Sequence, residues 1–458
     1  MEKEEIGLIL DEQRRFFASG ATLSIRYRLE MLRKLRSLII SHEDEVRDAL
    51  WKDFRKPGFE VIATETGFVL KELSLAIRSL KRWSKGRRAR TPIVHFIAHS
   101  HITPQPYGQV LILSPWNFPF QLSFLPLIGA IAAGNCVMLK VSRQAPEINK
   151  VMVRILSNLP KELVMIVNGD HTVSEYLLDH RFDYIFFTGS SRIGKYVMEK
   201  AAANLTPVSL ELGGKNPCIV MDDAKLEYAA RRIAWGKFIN AGQACVSPDY
   251  LLIDRKVSDR FLSLIKKEIN KFYGDDPAGS PDFARIISSE NVIRLSQLMK
   301  TGKIVTGGDL DIEECFVAPT VIKDIKPGDA IMKQEIFGPV LPVIDFEDIN
   351  EVYGIIEKNP KPLAVYIFTR SRLKARRVLA STQSGTAVIN DTVIQIASPF
   401  LPYGGLGPSG MGRYHGRRSF ETFSNMRSVM TKSNLLDIPL RYPPYSNLKS
   451  RVIRMFMR

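Results

Sequence analysis

Four short stretches of the chain hold residues of the kinds that carry chemistry. Gly242-Gln-Ala-Cys245 sets a thiol on a glycine-containing turn after an apolar helical pattern. A free cysteine titrates near ~8.5, and its thiolate is the nucleophile, so Cys245 is reactive where its surroundings favour ionisation and inert where they do not. Glu211-Leu-Gly-Gly-Lys places a carboxylate directly after the strand-like Pro-Val-Ser-Leu. That is the position of a general base beside a cleft, or of an ordinary solvated turn. Pro115-Trp-Asn-Phe-Pro119 holds Asn117 in a stiff loop, where its amide can donate to a developing oxyanion or cap the next helix. Gly189-Ser-Ser-Arg-Ile-Gly194 follows the apolar Tyr184–Phe187 and precedes helix-forming residues. A glycine turn feeding a helix N-terminus offers N–H groups and partial positive charge to a phosphate. It lacks the three-glycine dinucleotide fingerprint, and a plain strand-to-helix turn reads the same way.

The other cysteines fit a bland role. Cys136 lies in an apolar strand and Cys218 beside one, while Cys315 has no assigned place. With four cysteines, no C-x-x-C and no histidine cluster, neither a disulfide scaffold nor a metal site is expected, and a reducing compartment is the simpler setting.

The elements that must position these residues fall into blocks. The first hundred residues read as helical: Ile25, Leu29, Leu32, Leu35 and Ile39 recur at helical spacing. Ser41-His-Glu-Asp resembles a capping box opening a second helix, and a third is expected from Ile62 to Trp83. Pro92 to Tyr107 reads as an extended, hairpin-like excursion. Short apolar strands then alternate with helices: strands at Val110–Leu113, Cys136–Leu139, Val164–Val167, Tyr184–Phe187 and Val208–Leu210, helices at Leu122–Ala133, Pro146–Ser157, Val173–Asp179 and Ile193–Ala203. This alternation predicts a parallel sheet covered on both faces. A second block follows, with strands at Cys218–Met221, Leu251–Ile253, Val340–Phe346 and Ala364–Phe368. Two α/β lobes should join near Thr206–Gly214, with a ligand cleft between them.

Composition narrows the class. The chain has 458 residues, 45% hydrophobic and 24% charged, which are globular proportions. The N-terminus is charged from its second residue and has no apolar stretch, so no signal peptide is expected. The span from Ile102 to Leu139 carries no charge, yet prolines and Asn117, Gln121 and Asn135 interrupt it, which favours buried core over a membrane span. Net charge is +16. Arg78 to Arg90 concentrates basic residues, as a solvated helix end and turn would, and Thr431 onward forms a basic tail.

Taken in order, the motifs carry a resemblance. P-W-N-F-P, F-T-G-S, E-L-G-G-K, G-Q-x-C and Gln334-Glu335-Ile-Phe-Gly-Pro339 resemble the aldehyde dehydrogenase superfamily. The stretch Pro402-Tyr-Gly-Gly-Leu-Gly-Pro-Ser-Gly-Met-Gly-Arg-Tyr-His-Gly416 resembles its class 3 branch, as do Ala49-Leu-Trp-Lys-Asp and Arg441-Tyr-Pro-Pro-Tyr445. The likeness runs from about Phe16 to Tyr445.

The resemblance implies an α/β, two-lobed aldehyde dehydrogenase fold. Its parts would be a Rossmann-like NAD(P)-binding domain (1–90 with 106–208), an α/β catalytic domain (209–397), a small oligomerisation element (91–105 with 398–430) and a basic C-terminal tail (431–458). It implies that Cys245 attacks the aldehyde, that Asn117 and the Cys245 N–H hold the oxyanion, and that Glu211 activates the water that hydrolyses the thioester. Glu335 would hold the nicotinamide ribose, with Phe337 beside it. Trp116, Gly189, Ser190, Gly194 and Leu212 would line the cofactor, and Lys140 would approach the adenine-side ribose. The family usually reads Lys-Pro-Ser-Glu where this chain reads Lys140-Val-Ser-Arg143. A glutamate there repels a 2′-phosphate, whereas Arg143 can pair with one, so either NAD or NADP is expected and NADP is favoured.

Tyr107 and Trp116, near the Asn117 loop, are expected to face a medium or long aliphatic, or an aromatic, aldehyde. The class 3 resemblance implies a homodimer, in the cytoplasm or peripheral to a membrane. Leu448, Val452, Ile453, Met455 and Phe456 among Lys449, Arg451, Arg454 and Arg458 form a basic amphipathic pattern suited to weak membrane-surface contact, or to covering a substrate mouth or a dimer partner. Within the enzyme class the alternative is an acylating, coenzyme A-dependent relative or acyl reductase; a catalytically inactive basic protein binding nucleic acid or membrane is the alternative from another class. The intact Cys245, Glu211, Asn117 and Glu335 speak against such an inactive binder, so no nucleic-acid partner is expected.

Overall fold

A computed structural model describes residues 3–457. The N-terminal third is helical: Lys3–Ala18, Ile25–Ser41, Glu43–Phe54 and Gly67–Trp83, with Leu29, Leu32, Leu35 and Ile39 buried. Two local expectations are corrected. Ser41 does not cap the next helix; it ends the preceding one, and its hydroxyl donates to the Leu38 carbonyl. His42 stands at the helix start without a side-chain cap bond, and Glu43, Asp44 and Glu45 supply the favourable negative charge in the first turn. The expected helix from Ile62 opens instead with a π turn over Ile62–Thr66, which turns Glu65 inward and buries it.

The first sheet has six strands in the order Gly410–Met411, Val208–Leu212, Tyr184–Gly189, Gln109–Leu113, Cys136–Val141, Val164–Asn168. All its pairings are parallel except that of Gly410–Met411. Helix Pro119–Ala133 is buried along its whole length and packs between this sheet and the N-terminal helices. From Gly108 on, the uncharged span is therefore mostly core, as its prolines and amides indicated. The strand Val208–Leu212 stays in this sheet, so the chain crosses to the second lobe after Leu212 rather than at 208.

The second sheet has seven strands in the order Lys303–Thr306, Thr320–Lys323, Val340–Phe346, Tyr250–Asp254, Pro217–Val220, Ala364–Phe368, Thr386–Ile389. Its inner strands are buried along nearly their whole length, which explains why they read as apolar runs rather than alternating ones.

A third, antiparallel sheet joins Arg87–Ala89, Ala98–Pro106 and Ser424–Lys432. Part of the basic run Arg78–Arg90 is thus a strand, not only a helix end and turn. Residues 398–423 do not join this sheet, contrary to the expected grouping of 91–105 with 398–430. Tyr403 bridges Tyr414, Gly410–Met411 extends the first sheet, and helix Arg417–Thr422 packs on Pro119–Ala133. The glycines of that segment let its backbone press against the sheet edge beside Glu211. Beyond Lys432, helix Asn447–Met457 buries none of its residues. Among the described residues no helix is long and apolar enough to cross a membrane.

Candidate active site

The site residues sit at the ends of elements or in the loops that join them. Glu211 lies near the C-terminal end of Val208–Leu212, opposite Gly410 in the register. Ser190 caps helix Ser191–Ala202, its hydroxyl accepting from the Ile193 N–H. Asn117 precedes helix Pro119–Ala133 and is buried.

The thiol is placed by a strained turn. Asn240, Ala241 and Gly242 take φ of 53°, 50° and 73°, reversing the chain after helix Leu226–Phe238. A Cβ on Gly242 would run into the Gly338–Pro339 backbone, 2.9 Å from the Pro339 nitrogen, so only glycine fits. The turn is then clamped by amides. Gln243 donates to the Asn240 and Arg285 carbonyls and accepts from the Ile287 N–H. Asn216 donates to the carbonyls of Cys245 (2.7 Å) and Ser247 (3.0 Å). Asn240 donates to the Asn117 carbonyl (2.9 Å), tying the thiol turn to the P-W-N-F-P loop. The Asn117 amide donates to the Gln243 carbonyl (3.1 Å), leaving its other hydrogen for the cavity it lines.

The Q-E-I-F-G-P loop is held by a buried ion pair. Lys215 donates to Asp249 (2.5 Å) and to the Ile331 carbonyl (2.7 Å), and Asp249 accepts from the Ile336 N–H. Glu335 reaches the Gly213–Gly214 turn and accepts the Gly214 N–H.

Two cavities meet at Cys245. A polar one of about 330 Å³ is lined by Trp116, Asn117, Gly189, Ser190, Glu211, Leu212, Glu335 and Phe337, nine of the sequence-derived site residues once Cys245 is counted. Trp116 and Phe337 meet edge to face, with ring centroids 5.5 Å apart. An apolar one of about 200 Å³ is lined by Phe68, Phe118, Leu122, Trp235, Ile394, Tyr403 and Tyr414. The expectation for the aldehyde side is corrected here. Trp116 faces the polar cavity, and half-buried Tyr107 packs on Tyr184. Phe118 and Trp235 take the apolar role instead, because helix Pro119–Ala133 turns the loop's second aromatic away from Trp116.

Three sequence-derived residues stand outside both cavities. Gly194 lies behind the wall: a Cβ there would sit 2.6 Å from Leu212, so the glycine lets the helix N-terminus close onto the sheet. Lys140 is half-buried at the end of Cys136–Val141 and Arg143 is exposed nearby. Burial lowers the Lys140 ammonium pKa, Asp170 opposes that, and Arg143 adds to it.

Burial dominates the electrostatics. It pushes the Cys245 thiol up to about 12; Tyr403 opposes, while Glu335 and Glu211 add to the rise. It pushes Glu211 well above the usual carboxylate range, with only Arg413 opposing, and neither Glu211 oxygen has a hydrogen-bond partner among the described residues. Glu335 rises to about 8, through burial and Asp249, against the Gly214 N–H, Lys215 and Lys237. A buried carboxylate with two free oxygens beside a thiol is poised to take a proton from water.

Sequence reasoning missed Tyr403, Asn216, Asn240 and the Lys215–Asp249 pair. Lys215 and Asn216 directly follow the E-L-G-G motif, which was the available signal. Among the described residues no His/Cys/Asp/Glu group could hold a metal ion. The polar cavity fits a nicotinamide dinucleotide instead: a helix N-terminus for phosphate, a carboxylate for ribose hydroxyls, and a glycine turn that a side chain would fill.

The family model described as the aldehyde dehydrogenase family matches residues 1–429. The chain belongs to the aldehyde dehydrogenase family. It is 40% identical to the 4,4'-diaponeurosporen-aldehyde dehydrogenase of Staphylococcus aureus, covering 98% of each chain. It is 40% identical to human aldehyde dehydrogenase family 3 member B1, covering 99% of this chain and 98% of that one. A substrate-bound Staphylococcus aureus AldH superposes with a TM-score of 0.97 at 39% identity, covering 99% of both chains. PnpE in complex with nicotinamide adenine dinucleotide superposes with a TM-score of 0.86 at 26% identity, over 96% of this chain and 92% of that one. The fold is the two-domain aldehyde dehydrogenase fold, and the chain is an aldehyde-oxidising, NAD(P)-using enzyme of the family 3 type.

Proposed function

We propose that this aldehyde dehydrogenase oxidises an apolar aliphatic or aromatic aldehyde to its carboxylic acid, with Cys245 as nucleophile and Glu211 as the base for hydrolysis. One observation carries the reading: Cys245 stands in the wall of both cavities. An aldehyde in the apolar cavity would present its carbon to Sγ, and NAD(P), which Ser190 and Glu335 of the polar cavity would hold, would supply the hydride acceptor. The Cys245 thiolate adds to the carbonyl carbon, and the oxygen's new charge meets the Asn117 amide. With that acceptor bound, oxidation would leave the acyl group on Sγ as a thioester. Glu211 takes a proton from water, the resulting hydroxide adds to the thioester carbon, and the C–S bond breaks to release the acid and the thiolate.

The unpartnered Glu211 oxygens favour water over coenzyme A as acyl acceptor. Mass spectrometry of a Glu211→Gln variant mixed with hexanal and NAD(P) tests this. The acyl adduct should accumulate on the Cys245 peptide; an unmodified Cys245 in a variant that still consumes one equivalent of aldehyde contradicts it.

The remaining readings follow from single features. Exposed Arg143 near Lys140 suits a 2′-phosphate, favouring NADP. The outer strand Thr386–Ile389 and the antiparallel sheet around Ala98–Pro106 offer edges for a homodimer, which sedimentation equilibrium would measure. Helix Asn447–Met457, with basic Lys449, Arg451 and Arg454 and exposed Leu448, Met455 and Phe456, suits peripheral contact between a cytoplasmic enzyme and an anionic lipid surface. Pelleting with anionic vesicles should fall when residues 446–458 are removed, and equal pelleting removes that reading.

A further inference from the structure

The Cys245 sulfur has a protein partner. Tyr403 Oη lies 3.5 Å from Sγ, within hydrogen-bond reach for sulfur. The phenol is not there by chance of rotamer. Tyr403 is 5% exposed. Its backbone exchanges both hydrogen bonds with Tyr414, N to O at 3.0 Å and O to N at 2.9 Å. Its ring stacks on His415 at 5.1 Å and 18°, and meets Tyr414 edge-on at 5.6 Å. Backbone and two rings together aim the hydroxyl at the thiol before any substrate binds.

The chemistry of the pair is asymmetric. A neutral thiol can donate to the phenol oxygen or accept from it. A thiolate can only accept, so once the sulfur ionises the phenol must donate, and the bond becomes charge-assisted. The surroundings otherwise oppose ionisation: the site is buried, and the Glu211 and Glu335 carboxylates add to the rise in the thiol pKa. Burial also raises the Tyr403 phenol pKa, which favours the protonated, hydrogen-donating form. His415 does not compete for the phenol, because its ring contacts Tyr403 by its face.

We infer that Tyr403 is a further catalytic residue, whose hydroxyl donates a hydrogen bond to the Cys245 thiolate and raises the fraction of sulfur ready to attack. Its consequence for turnover rests on Cys245 being the nucleophile. The test reads the thiol itself, so it stands apart from aldehyde oxidation.

The experiment is iodoacetamide alkylation of the full chain without cofactor, at several pH values between 8 and 10, with the Cys245 peptide quantified by mass spectrometry. Cys136 and Cys218 are buried, and the Cys315 peptide is read separately. Below the midpoint the rate follows the thiolate fraction, while a thiolate of higher pKa is somewhat more nucleophilic per ion. Tyr403→Phe, which keeps the ring and removes only the hydroxyl, should slow alkylation of Cys245 about three- to tenfold and shift its profile to higher pH. Replacing Tyr403 with 3-fluorotyrosine, a more acidic phenol and a stronger donor, should shift the profile the other way. Thermal unfolding of each variant shows that the fold is kept. If Tyr403→Phe misfolds, the fluorotyrosine arm decides. Unchanged Cys245 profiles in folded variants overturn the inference, even where aldehyde turnover falls, because Tyr403 would then only line the cavity.

Discussion

Gly213 and Glu335 share one space: a Cβ on Gly213 would overlap the Glu335 carboxylate, 2.6 Å from its Cδ. The glycine that follows the Glu211 strand is therefore what lets the Glu335 carboxylate reach across from the other lobe. Gly213→Ala pushes back a flexible side-chain end rather than backbone, so the chain still folds. The expected outcome is a KM for NAD(P) raised at least tenfold with the unfolding midpoint nearly unchanged. Steady-state kinetics against cofactor concentration check this.

The buried Lys56–Glu65 ion pair joins the helical region to the substrate side. Lys56 Nζ lies 2.7 Å from Glu65 and 3.9 Å from the Phe118 ring centroid, and the other Glu65 oxygen accepts the Gln121 N–H. Burial alone would push the Glu65 carboxyl up, and Lys56 opposes it. Lys56→Met leaves that carboxyl uncompensated and should cost about 3–5 kcal/mol. Lys56→Met with Glu65→Gln should recover much of the loss. Chemical denaturation at pH 7 of both variants decides; equal losses would mean the pairing is not the source.

The pH dependence of turnover should report Glu211. Burial raises its pKa and so favours the acid, whereas taking a proton from water requires the carboxylate. The sign follows: kcat rises with pH, by up to about tenfold per pH unit below the midpoint, and levels above it. Glu211→Gln should lose a factor of about 10²–10⁴ in kcat and the rising limb with it. A wild-type profile flat from pH 6 to 9 contradicts this role.

Cofactor choice should follow one charge. Arg143→Glu restores the carboxylate that accepts from a ribose hydroxyl and repels a 2′-phosphate. The ratio of kcat/KM for NADP to that for NAD should fall by at least tenfold, and an unchanged ratio places Arg143 in solvent with no part in the choice.

What was legible in the sequence was what local chemistry dictates. Short apolar strands between helices gave the two lobes, because strands buried on both faces need no polar alternation. Cys245, Glu211 and Asn117 could be found because each sits beside a glycine or proline that fixes a turn. Tyr403 was hidden because its partner lies 158 residues away in the chain, and only the bridge to Tyr414 brings it to the sulfur. Segment 398–423 was misassigned for the same reason: its glycines mark close backbone approach but not to which sheet. Tyr107 and Trp116 were read as substrate-facing from their chain proximity to Asn117, whereas the direction of each ring is set by tertiary packing.

The central claim is that Cys245 performs the oxidation between the two cavities. Absorbance at 340 nm with hexanal or benzaldehyde and NAD or NADP, beside a Cys245→Ala control, tests it most directly. Steady cofactor reduction is expected in the wild type and none above background in the control. Reduction that persists in Cys245→Ala, or that appears in the wild type only when coenzyme A is added, contradicts it.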